Sequence, residues 1–140
     1  QHVPIVYVHV MPFPGAKSFN LTDQSLAHSG PMPANAFDII DALTPHDNDY
    51  LLTKHSRGAF TGTELDQLLR SWKVENIAIG GIATNIGVES TVRVGADLGY
   101  NFVVVEDACG GLTPEGHEAA LKYSLPYYAR IRPLSALRWA

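Results

Sequence analysis

Two rhythms of apolar residues alternate along the chain. "PIVYVHV" (Pro4–Val10) is a continuous β-branched run, the pattern of a strand buried on both faces. "DYLLTKH", "NIAIGG" and "NFVVVEDA" read as further strands, and a last short one is expected near Ala129–Pro133. Between them the period lengthens. In "TGTELDQLLRSW", Leu65, Leu68, Leu69 and Trp72 recur at helical spacing, with Thr63 as the expected cap and Asp66 completing a capping box. A second helix is expected to hold Gly87 in its first turn and to run to Leu98, with Gly99 closing it. A third begins at Pro114 behind Thr113, and a short one is expected around "ANAFDIIDAL", with Phe37, Ile40 and Leu43 on one side. Met11–Pro33, with Pro12, Pro14, Pro31 and Pro33, reads as a long loop of the kind that carries a lid or a contact.

Strands alternating with helices predict crossover units and a parallel sheet covered on both faces. Ligands of such sheets sit beyond the C-terminal ends of the strands. That rule gathers Lys54, the turn Gly81–Gly87 and the stretch Asp107–Gly110 on one edge. No internal repeat or low-complexity tract interrupts the pattern.

Composition narrows the class. With 140 residues, 46% of them apolar, the chain is long enough for one domain with a true core and too short for two. Net charge is −4 and the ten Lys and Arg are scattered, so the basic stripe of a nucleic-acid or anionic-membrane binder is missing. No apolar run is long enough to span a bilayer. Cys109 is the single cysteine, which rules out an intrachain disulfide and a cysteine-rich zinc site and fits a reducing, cytoplasmic setting.

Few residues can carry chemistry at the predicted edge. Lys54 ends an apolar strand, where its ammonium would fix a carboxylate or stabilise developing negative charge; a lysine extending into solvent is the alternative. Thr84 and Asn85 suit a helix N-cap, and the amides after them form an anion site. Gly87 among those amides lets a ligand oxygen approach the backbone, or else serves close helix–strand packing. Cys109 has no base beside it in sequence and Asp107 would oppose its thiolate, so a packing role is expected. The six His show no paired ligand spacing, so no metal is expected, and "GGIATNIG" matches no nucleotide-binding loop.

Together "LLTKHSRGAFTGTELDQLLR", "IAIGGIATNIGVESTVRVGADLGY" and "VVVEDA" resemble the isochorismatase-like hydrolase superfamily over nearly the whole chain. The resemblance implies a three-layer α/β/α fold around a mostly parallel sheet, and in the amidohydrolases an Asp–Lys–Cys triad. It places the family lysine at Lys54, a cis peptide at Ile82–Ala83, the oxyanion-hole amides at Ala83 and Gly87, and the nucleophilic cysteine at Gly87 itself. Ile82, Ala83, Thr84, Asn85 and Phe60 fall at substrate-binding positions. A glycine at 87 removes the covalent route but leaves the acid-assisted hydrolysis of isochorismatases, in which a carboxylic acid protonates a vinyl ether and water attacks. The metal site of nicotinamidases has no counterpart, and no cofactor is implied.

The family aspartate ends a first, central strand that would precede Pro4–Val10, and no segment here matches it. The chain is therefore expected to lack that strand, leaving a slot between Pro4–Val10 and Asn76–Gly81. The expected function is hydrolysis of a small metabolite by a homo-oligomer. A catalytically silent binding or assembly subunit and a small-amide amidohydrolase are the alternatives.

Overall fold

A computed structural model describes residues 3–15, 22–24, 31 and 33–138. Five parallel strands and three α-helices follow one another as β1 (Val6–Val10), β2 (Tyr50–Lys54), α1 (Leu65–Ser71), β3 (Asn76–Ile82), α2 (Glu89–Asp97), β4 (Asn101–Gly110), α3 (Pro114–Ala119) and β5 (Ala129–Arg132). The α/β alternation expected from the two apolar periods is present. Among the described residues the strands form two sheets rather than one, β1–β2 and β3–β4–β5, every pair parallel. Among the described residues β1 pairs only with β2, and β3 only with β4, so each keeps one edge without a ladder partner there.

β1 was expected to be buried on both faces, yet Val10 is 47% exposed and Val8 is exposed as well. Burial on both faces needs a covering layer on each, and these two side chains stay open to solvent. The closed core lies between α2 and the strands: Leu52, Val92, Val104 and Leu125 are fully buried, with Leu65, Leu69, Val88 and Phe102 around them.

Helix ends depart from expectation in instructive ways. Around α1, Thr63 Oγ1 accepts from Leu65 N at 3.3 Å, but Asp66 does not close the box. Its carboxylate turns to Tyr100 Oη at 2.8 Å and Arg70 Nε at 3.3 Å, pinning α1 to the start of β4. Thr113 caps α3 as expected, accepting from Gly116 N at 3.1 Å. The helix expected over residues 34–43 is not formed; turns lead to a single 3-10 turn at Asp41–Leu43. Ile40 and Leu43 are exposed there, and an isolated ten-residue helix with no core to cover is marginal. Of the predicted Met11–Pro33 loop, residues 16–21, 25–30 and 32 lie outside the described residues. Among the described residues, no helix is long and apolar enough to cross a membrane.

Candidate active site

The C-terminal ends of β2 and β3 bring Lys54 and Gly87 together. Lys54 is the last residue of β2, and its ammonium turns back to donate to the Arg57 carbonyl. Burial pushes the Lys54 pKa down, because a half-desolvated ammonium is less stable than one in water. A Cβ placed on Gly87 would lie 3.3 Å from Lys54 Nζ, 3.5 Å from Arg57 O and 4.0 Å from Ile82 O. The missing side chain of Gly87 therefore points at the lysine head, into a space edged by two carbonyl oxygens.

The turn carrying Gly87 is wider than an α-helical one. Ala83 O accepts from Ile86 N at 3.1 Å and from Val88 N at 3.2 Å, the second reaching five residues back. The Gly87 N–H, between them in sequence, is not among the donors to that carbonyl. π-type turns of this kind open a helix locally and are frequent at functional sites. The Ile82–Ala83 peptide is cis, at the bond where the resemblance places it.

A side chain of α2 and the loop after β2 hold this turn in place. Thr91 Oγ1 donates to Gly87 O at 2.7 Å and accepts from Ala59 N at 3.0 Å, tying the turn to the loop after β2. Ser56 Oγ donates to Gly58 O at 2.9 Å within that loop. Lys54, the loop and the turn are thereby one hydrogen-bonded unit. Sequence reasoning missed Thr91 and the Arg57 carbonyl. The first had a signal, a threonine four residues after Gly87 and on its helix face; a backbone carbonyl leaves none.

The other expected site residues divide. Ala83 is buried at the foot of the turn, and Ile82 projects into solvent at 80% exposure while its carbonyl faces Gly87. Thr84 and Asn85 are not caps: the residue at that position is Ala83, which makes no side-chain cap. Thr84 Oγ1 instead meets His117 Nδ1 at 2.7 Å, and Asn85 lies against Gly116. Phe60 packs against the core. Its ring stacks on Tyr100 with centroids 5.7 Å apart and fills the groove left by Gly95, where apolar area is best buried. Among the described residues, no three His, Cys, Asp or Glu gather as metal ligands would.

Cys109 lies on β4. The strand expected as "NFVVVEDA" continues to Gly110 and pairs Cys109 with Gly81. Between Ile79 and Gly81 the register with β4 shifts, and Ala108 lies so close to Gly80 that a Cβ there would meet its oxygen at 2.8 Å. Burial pushes the thiol pKa up, and Asp107 adds to it. Asp107 itself accepts from Leu134 N at 2.8 Å, so it anchors the C-terminal segment.

A parallel α/β scaffold with a lysine and a glycine-opened turn at its C-terminal edge defines the class. The chain belongs to the isochorismatase family: the Isochorismatase domain model matches residues 1–133. It is 42% identical over 104 residues to the uncharacterized isochorismatase family protein YwoC of Bacillus subtilis, covering 74% of this chain and 55% of that protein. It is 42% identical over 89 residues to the ureidoacrylate amidohydrolase RutB of Pantoea ananatis, covering 64% of this chain and 36% of that one. The solved structure of an isochorismatase family protein from Burkholderia thailandensis superposes with a TM-score of 0.85 at 33% identity, over 95% of this chain and 70% of the other. This chain thus spans about half the length, or less, of these curated relatives.

Proposed function

We propose that the site hydrolyses a small vinyl-ether metabolite of the isochorismate type without a side-chain nucleophile. A carboxylic acid protonates the enol ether's terminal carbon, water adds to the oxocarbenium ion, and collapse of the hemiketal releases an alcohol and a keto acid. Lys54 would hold a substrate carboxylate, and the Ala83 and Gly87 amides would receive a substrate oxygen. One observation carries this reading: the position where a nucleophile would project from Gly87 faces the Lys54 ammonium and holds no side chain. Cys109 does not replace it, since its thiol is half-buried on β4 with its pKa raised.

The acid is proposed to come from a strand outside these 140 residues, seated between β1 and β3 with its aspartate beside Lys54. The unpaired edges of β1 and β3 support this, as does the Burkholderia structure, of which this chain covers 70%. A second reading, amide hydrolysis by an activated water, is favoured by the 42% identity to a ureidoacrylate amidohydrolase. Assaying the full-length protein on isochorismate and on ureidoacrylate separates them. Preferential turnover of isochorismate supports the first reading, and preference for the amide overturns it. Binding of isochorismate with no turnover of either compound would instead mark a silent binding subunit.

A further inference from the structure

The far side of the Gly87 turn is held by α3. Thr84, the first residue of the turn, is fully buried, and its hydroxyl lies 2.7 Å from His117 Nδ1. With the ring proton on Nε2 the hydroxyl donates; with it on Nδ1 the ring donates. Either way the pair is satisfied, and among the described residues no buried side-chain polar atom lacks a partner.

Two glycines let α3 come this close. A Cβ on Gly116 would lie 2.8 Å from Asn85 Nδ2 and 3.2 Å from Thr113 Oγ1. A Cβ on Gly111 would lie 2.7 Å from His117 Cβ. The first turn of α3 thus meets both Thr84 and Asn85, which lie between the Ala83 and Gly87 amides proposed to receive the substrate oxygen. From these contacts we propose that His117 is a positioning residue: through Thr84 it fixes where the Ile86–Val88 amides stand. The role in turnover rests on the functional reading above. The mechanical role does not.

Three variants of the full-length protein test it by amide hydrogen exchange and by kinetics. His117→Ala and Thr84→Val each leave one buried partner unsatisfied or absent; His117→Asn keeps a polar atom near the Nδ1 position. Loss of one buried hydrogen bond predicts about tenfold faster exchange at Ile86 and Val88, whose amides the Ala83 carbonyl holds, in the first two variants, with Val104 in the core of β4 unchanged. His117→Asn should return the turn to within about threefold of the parent, and Thr84→Val should add nothing to His117→Ala. On isochorismate, kcat should fall in step with the exchange while KM holds. Unchanged exchange at the turn in Thr84→Val, which preserves shape and so folds, overturns the proposal. So does a uniform rise that includes Val104 and is not rescued by asparagine. If isochorismate is not turned over at all, the substrate reading fails, and the exchange result still decides whether His117 sets the turn.

Discussion

Replacing Gly87 with alanine separates the stability of the turn from its chemistry. The added methyl favours helical backbone by about 0.5–1 kcal/mol over glycine. Against that gain stands one tight contact, 3.3 Å to Lys54 Nζ, while Arg57 O at 3.5 Å and Ile82 O at 4.0 Å are ordinary neighbours. The lysine head is the end of a flexible chain, so it yields by a few tenths of an ångström and loosens its bond to Arg57 O. Weakening one hydrogen bond to a charged, half-exposed group costs about 1 kcal/mol at most. The two terms nearly cancel, and the melting temperature should move by no more than about 4 °C. Turnover has no such compensation, because the methyl occupies the space facing the ammonium and displaces the group that holds the substrate. A misplacement of this size predicts a fall of about 10- to 100-fold in kcat/KM. Thermal unfolding followed by circular dichroism and pyruvate release from isochorismate read the two quantities on one sample. Unchanged kcat/KM would refute the placement of substrate against Gly87; a loss of more than about 8 °C would refute the account of the packing around it.

Lys54→Met should slightly stabilise the protein at neutral pH while slowing turnover by about 100-fold. Burial lowers the Lys54 pKa, so the folded state binds fewer protons than the unfolded one, and folding is penalised below the lowered value. As pH rises from there to the usual lysine value the penalty disappears; the gain from methionine, under about 1 kcal/mol for so exposed a group, should shrink with it in urea titrations. Cys109→Ser should leave kcat/KM within about threefold of the parent, since the thiol is half-buried on β4 with its pKa raised; a loss comparable to that of a nucleophile would reinstate it. Gly95→Ala should destabilise by about 1–3 kcal/mol through overpacking. Its Cβ would stand 2.5 Å from Phe102 Cζ and 2.7 Å from Phe60 Cε2, and a melting temperature equal to the parent's would contradict that packing. In the full-length protein the amides along β1 and β3 should be protected from exchange as strongly as those of β4; free exchange at Val8 and Val10 would argue against a strand between them.

The parts of this architecture that depend on period were legible in the sequence. β3, β5 and α3 fall within a residue or two of where apolar runs and the Thr113–Pro114 cap place them, because strand and helix spacing are local properties. The residues that tertiary contacts redirect were not legible. Asp66 has the spacing of a capping box, yet the Tyr100 hydroxyl takes its carboxylate. Thr84 has the chemistry of an N-cap, yet His117, 33 residues on, takes its hydroxyl. Phe60 stands near Lys54 in sequence but is drawn to the core by the groove at Gly95. Helix 34–43 fails for the opposite reason, since its apolar side has no surface to cover. Of the candidate site, Lys54 and Gly87 were found as residues, while their mutual approach depends on a loop stitched by backbone carbonyls that no side-chain pattern reports.

On the function proposed above, a lysine facing a glycine supports hydrolysis where no thiol projects. Pyruvate release from isochorismate by the full-length protein and by its Lys54→Ala variant is the measurement that decides it. One pyruvate should appear for each isochorismate consumed, and the variant should be slower by about 100-fold, the scale of one removed electrostatic anchor. No release by the parent protein, or release by Lys54→Ala at the parent's rate, would contradict it.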